Sequence, residues 1–235
     1  VYPRAAVEGV LRWAFQRGLH VVSDEIYGNS VFAAGPQDGL EEPFESALQV
    51  AEGVDPEAAR KLLHVVFGFS KDFAVSGYRL GCVHTRNEGV LRAYSNLGYF
   101  CAVPGGLQHR LAEALDDEPW VDEFLSANRG LLRASYLELA AELGKAKIPF
   151  VPAVAGLFVW CDLRGWLKEP TFEEERRVFN LLLEEGRVVC TPGQDTHCAV
   201  PGYFRLCFSA VPPAALRVAV VRMRSVLDRV ATGKL

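Results

Sequence analysis

The sequence predicts an α/β protein, and three observations carry that expectation. Short apolar runs suited to strands (19–23, 62–68, 79–85, 157–163, 188–190 and 203–208) alternate with segments whose apolar residues recur at helical spacing. One stretch, from Pro119 to about Gly144, keeps that helical spacing far longer than the rest. The 235 residues, half of them hydrophobic, suffice for one large core or two smaller ones.

Taken in order, residues 4–17 place Val7, Val10, Leu11 and Ala14 on one helical face, and Gly18 reads as the cap. The apolar run Leu19–Ser23 follows at once as a strand. Residues 28–58 are rich in Gly, Pro and acids and read as a long excursion with one short helix near Pro56–Lys61. Strand 62–68, a loop holding Lys71, and strand 79–85 come next. Asn87–Gly98 and Pro104–Leu115 read as helices, with Pro104 at the first helical position. The long helix then carries Trp120, Phe124, Leu131, Leu132, Tyr136, Leu139 and Leu143 on one face. After strand 157–163, Thr171 caps a helix whose first turn holds Glu173, Glu174 and Glu175, and this helix ends at Gly186. Val188–Cys190 reads as a short strand, Pro192-Gly193 as a turn and Tyr203–Phe208 as a strand. Pro212 and Pro213 open a last helix facing inward with Leu216, Val220, Met223 and Leu227. The domain expectation is a large domain over 1–118, a connecting helix over 119–144 and a small α/β domain over 145–235.

A net charge of −4 argues against nucleic acid or an anionic membrane as the main partner. No apolar run approaches the roughly 20 residues of a membrane span, and no secretion signal opens the chain. The six cysteines are spread widely without C-x-x-C spacing and read as buried thiols of a cytoplasmic protein. No ligand spacing points to a metal.

Two stretches carry chemistry. The first runs from Phe69 to Gly81 and places Lys71 just after an apolar strand, with Arg79 eight residues later. An ammonium there is costly to desolvate, and a desolvated lysine forms Schiff bases with carbonyls. An arginine can fork a phosphate. An aldehyde and a phosphate on one ligand suggest pyridoxal 5′-phosphate (PLP). The alternative is a surface lysine beside a salt-bridged arginine. The second stretch, Val21 to Tyr27, ends a strand with Asp24 and follows with Tyr27. A carboxylate against the pyridine nitrogen keeps such a ring protonated and electron-withdrawing, and a phenol can donate to its ring oxygen. Asp24 as a helix cap and Tyr27 as a packing residue are the alternatives.

Asp24-Glu25-Ile26-Tyr27, Ser70-Lys71-Asp72-Phe73-x-x-Ser76-Gly77-Tyr78-Arg79-Leu80-Gly81 and Pro201-Gly202-Tyr203-Phe204-Arg205-Leu206-Cys207-Phe208 together resemble the class I/II, fold-type I aminotransferases. Ala155 to Arg164 and Thr191-Pro192-Gly193-Gln194 resemble their 1-aminocyclopropane-1-carboxylate (ACC) synthase branch, which includes animal ACC synthase-like proteins. The resemblance implies the C-terminal part of a large, mixed and mostly parallel sheet domain followed by a small domain. It implies PLP as cofactor, an amino acid as substrate and a homodimer. Lys71 becomes the Schiff-base lysine and the base that moves the α-proton. Asp24 pairs with the ring nitrogen, Tyr27 with the ring oxygen, and Ser70 and Arg79 with the phosphate; Ser70 could equally cap a turn. Arg205 forks the substrate carboxylate, the alternative being a structural salt bridge. A phosphate-binding serine usual in the family three residues before the lysine is Gly68 here. The family's Asn-Pro-x-Asn-Pro-x-Gly loop and phosphate-binding helix lie upstream of Val1, so the chain reads as incomplete.

The reaction stays open between aminotransferase and lyase, because all these chemistries use the same lysine, aspartate and arginines. A non-catalytic, truncated relative that keeps the fold and binds a partner is the other expectation. His64, His84 and His109 read as partly buried, hydrogen-bonded residues without assigned roles.

Overall fold

The computed structural model describes residues 1–234, which divide into two compact units, Val1–Arg129 and Gly130–Leu235.

The first unit opens with α1 (Arg4–Phe15). Gly18, at φ +63°, closes it by donating to Phe15 O, while Leu19 donates to Ala14 O, as a left-handed cap requires. Strand β1 (Val21–Asp24) starts two residues later than expected and ends on Asp24. The excursion holds two helices rather than one, α2 (Ala47–Glu52) and α3 (Pro56–Leu62). The unexpected α2 has a readable start: the Ser46 hydroxyl accepts from Leu48 N, and Ala47, Val50 and Ala51 face inward at helical spacing. They pack with Leu11 and with Leu63 of β2 (Leu63–Gly68). Lys71 lies in a single helical turn, α4 (Phe69–Asp72), and not in an open loop. A 3-10 turn at Ser76–Tyr78 then leads to β3 (Gly81–Thr85).

The sheet of this unit has the order β1-β2-β3 and is mixed. β1 runs parallel to β2 with Asp24 opposite Val66, and β3 runs antiparallel with Gly81 opposite Gly68. A Cβ at position 81 would stand 2.9 Å from Phe67 O, so only glycine fits this approach. Asn87 caps α5 (Glu88–Cys101), and α6 (Gly105–Asp116) follows. Pro104 sits at the cap of α6 with extended ψ 132°, one position before the expected one.

Helix α7 (Glu118–Lys145) runs the expected course. In the first unit Leu125 joins Phe69 and Phe73 in a second core cluster, with Phe124 against it. The buried residues Leu132, Leu139 and Leu143 continue at sevens and fours. Leu131 does not belong to that face: one residue turns it about 100° away from Leu132, and it is 70% exposed.

The second unit contains β4 (Phe150–Val151), β5 (Phe158–Asp162), α8 (Phe172–Glu184), β6 (Thr191–Pro192), β7 (Tyr203–Cys207) and α9 (Pro213–Ala231). Its sheet is antiparallel in the order β4-β5-β7-β6. The strand expected at Val188–Cys190 is absent; the ladder with β7 begins at Thr191. Val188 N instead donates to Leu182 O at the end of α8. Leu216, Val220, Met223 and Leu227 are all buried as expected, joined by Val226 and Val230. Each such side chain contributes roughly 1.5–3 kcal/mol relative to exposure. Among the described residues no helix is long and apolar enough to cross a membrane. All six cysteines are free, but only Cys161 and Cys190 are buried; Cys82 and Cys101 are exposed. Burial pushes the Cys161 and Cys190 thiols up to about 12.

Candidate functional site

In the first unit the two motifs meet at the carboxyl ends of neighbouring parallel strands. Asp24 is the last residue of β1, and Glu25 N donates to Val66 O on β2. β2 ends at Gly68, and the next turn carries Ser70 and Lys71. Ligands of open α/β sheets bind beyond such strand ends. The exposed Asp24 carboxylate accepts from Ile26 N at 3.1 Å. Tyr27 follows in a turn, its carbonyl accepting from Ser30 N.

The lysine turn is closed by its own hydrogen bonds. Ser76 Oγ donates to Ser70 O at 2.9 Å, and Arg79 Nη1 donates to Ser76 O at 2.9 Å. Ser70, Ser76 and Arg79 are thereby linked, with Lys71 half-buried between them in sequence. Arg79 adopts φ +53° and is exposed. Among the described residues, neither the Lys71 ammonium nor the Ser70 hydroxyl has a hydrogen-bond partner, and no carboxylate pairs with Lys71 or Arg79. The salt-bridged alternative for this lysine and arginine is therefore not what the structure contains.

Asp72, next to the lysine, was not singled out by its sequence context. It is fully buried. Its carboxylate accepts from Asn29 N at 2.9 Å and from the Ser30 hydroxyl, and its carbonyl accepts from Asn128 Nδ2 at 3.1 Å. Burial raises its pKa, and the Ser30 and Asn29 hydrogen bonds oppose that rise in part. An acid among phenylalanines is a signal of burial, but nothing local reveals partners more than forty residues away.

The second unit contains Arg205, half-buried in the middle of β7. Its guanidinium lies 4.5 Å from the Phe158 ring centroid. Nη2 reaches Thr191 Oγ1 at 3.4 Å, and Nε is buried without a hydrogen-bond partner. Among the described residues it has no carboxylate, so the structural salt bridge expected as its alternative does not form. Arg205 lines a cavity of about 590 Å³ with Thr191, Phe158 and Cys190. Nearby, Glu175 is fully buried and accepts from Gln194 N at 2.8 Å and Gly202 N at 2.6 Å. It lies in the first turn of α8 as expected, and its buried carboxylate ties down the segment before β7. Thr171 does cap α8, accepting from Glu174 N.

Of the three unassigned histidines, only His64 is buried; its Nε2 lies 2.8 Å from His20 Nδ1, and its Nδ1 lies 2.7 Å from Thr85 Oγ1. His84 and His109 are exposed. Within the first unit this donor set fits PLP: an amine and a hydroxyl without hydrogen-bond partners and an arginine without a carboxylate lie on one stretch of chain, next to the strand that ends at Asp24.

The aminotransferase class I and II family model matches residues 1–223. The chain is 37% identical to 1-aminocyclopropane-1-carboxylate synthase 4 of Oryza sativa subsp. japonica, over 96% of this chain and 47% of that protein. It is 34% identical to 1-aminocyclopropane-1-carboxylate synthase-like protein 1 of Takifugu rubripes, over 97% of this chain and 35% of that protein. The chain thus spans half or less of these relatives. Aspartate aminotransferase from Thermus thermophilus, solved with maleate, superposes with a TM-score of 0.79 at 26% identity, covering 96% of this chain and 53% of that one. This family is PLP-dependent. The chain belongs to the aminotransferase class I and II family, fold-type I, and resembles its ACC synthase-like branch.

Proposed function

We propose that the protein carrying this chain is a PLP-dependent enzyme acting on α-amino acids, an aminotransferase or lyase of ACC synthase-like type. The observation that carries this reading is the lysine turn. Lys71 and Arg79 stand on one hydrogen-bonded turn without carboxylate partners, beside the strand end that presents Asp24. PLP supplies an electron-withdrawing ring that stabilises the carbanion left when a substrate bond at Cα breaks.

Lys71 Nζ would hold the cofactor covalently, and the same nitrogen would carry the proton taken from the substrate Cα. Arg79 and Ser70 hold the phosphate by charge and hydroxyl donation. Asp24 keeps the pyridine nitrogen protonated, and Tyr27 donates to the ring oxygen. Arg205 forks the substrate carboxylate; its stacking on Phe158 supports that role by fixing the plane of the fork.

The organisation that accompanies this reading is a cofactor-binding part over 1–118, a connecting helix over 119–144 and a small domain over 145–235. A homodimer belongs to it as well. Its support is the exposed apolar run on α5, where Leu91, Tyr94, Leu97, Tyr99 and Phe100 face solvent. A cytoplasmic site is in keeping with six free thiols.

The test is the absorption spectrum of the purified full-length protein with added PLP, then borohydride reduction and peptide mapping. A lysine-bound band and a reduced adduct on Lys71 are expected. Labelling elsewhere, or none, sinks the enzyme reading. Sedimentation of the same sample checks the dimer.

A further inference from the structure

The Asp72 carboxylate bridges two stretches of chain that must act together. One oxygen accepts from Asn29 N at 2.9 Å and the other from the Ser30 hydroxyl. Ser30 N in turn donates to Tyr27 O at 2.9 Å. Two successive hydrogen bonds thus run from the residue after Lys71 to the backbone of Tyr27. Asn128, from α7, holds the Asp72 carbonyl from behind. Asp72 and Ser30 are both fully buried, so water does not compete for these contacts.

We propose that Asp72 is a positioning residue that fastens the Lys71 turn to the strand exit carrying Tyr27, so that amine and phenol address one cofactor ring in a fixed relation. The inference rests on the PLP reading above and adds a residue to it that touches neither substrate nor ring. An asparagine at this place keeps the volume but removes the negative charge, so the tie to Ser30 falls from a charge-assisted hydrogen bond to a weaker neutral one. Ser30→Ala cuts the tie from the other side and leaves the carboxylate in place.

A phenol donor draws negative charge from the ring oxygen and weakens that oxygen's hold on the proton it shares with the lysine nitrogen. Misplacing Tyr27 therefore strengthens that hold. The experiment titrates the absorption of the PLP-loaded full-length protein against pH for wild type, Asp72→Asn and Ser30→Ala, with thermal melting of each in parallel. Both variants should move the titration midpoint of the lysine-bound band upward, by roughly half a pH unit or more for Asp72→Asn and less for Ser30→Ala. Midpoints equal to wild type, with only a lower melting temperature, would show a purely structural residue and overturn the inference. If Asp72→Asn does not fold, Ser30→Ala decides alone. A wild-type protein without a reducible adduct on Lys71 would overturn the enzyme reading and this inference with it, and that outcome is distinct from unchanged midpoints.

Discussion

The Arg205 guanidinium carbon lies over Phe158, 4.5 Å from the ring centroid, two strand residues off the register in which Phe158 faces Cys207. The diagonal contact lets an aromatic side chain hold a guanidinium plane without a carboxylate. Its buried Nε is left waiting for an acceptor.

Arg205→Lys removes the planar fork while keeping the charge. Loss of charge-assisted hydrogen bonds to a carboxylate is worth about 1.5–3 kcal/mol, or roughly ten- to a hundredfold in substrate affinity. The amino acid concentration giving half-maximal spectral change should rise by that factor while PLP occupancy stays as in wild type. Equal affinity in Arg205→Lys would refute the carboxylate role.

His64 makes the first unit sensitive to acid. Burial, with a smaller contribution from His20, holds its pKa below the ordinary 6.5. The unfolded chain therefore takes up a proton at higher pH than the folded one. Stability is fully present above the ordinary value and falls as pH drops from 6.5 toward the lowered folded value. His64→Gln should flatten this part of the stability-against-pH curve, as followed by urea unfolding at a series of pH values. An unchanged slope would place the acid sensitivity elsewhere.

Gly68 precedes the lysine turn in an extended conformation open to any residue (φ −138°, ψ 140°). A Cβ there would meet Ile26 Cδ1 at 3.2 Å, the movable end of a side chain. Gly68→Ser should fold with stability within about 1 kcal/mol of wild type and bind PLP more tightly through one added hydroxyl. Equilibrium dialysis against PLP measures the gain; weaker binding would count against a phosphate cup at this turn.

The candidate cofactor motif could be proposed from the sequence because its parts are local. Asp24 ends an apolar run, and Lys71 and Arg79 lie eight residues apart after another. Helix faces such as Leu216, Val220, Met223 and Leu227 were legible for the same reason, since one period fixes them. The parts that escaped depend on distant partners. Asp72 and Glu175 look like surface acids until the fold brings Asn29 and Gly202, distant in sequence, to them. The Val188–Cys190 run has the composition of a strand, yet the ladder belongs to its neighbour Thr191, because the end of α8 captures Val188 N.

Arg79 holds a left-handed backbone that a branched or long side chain occupies at a cost of about 1–2 kcal/mol, and that glycine adopts freely. Replacing it by glycine should therefore make the cofactor-free protein melt at a higher temperature while abolishing tight PLP binding. On the proposed PLP reading, the turn is a compromise between robustness and activity. An arginine retained in a glycine's conformation sacrifices durability of the empty protein for the loaded one, and a search for heat-resistant variants that ignored the cofactor would select against it.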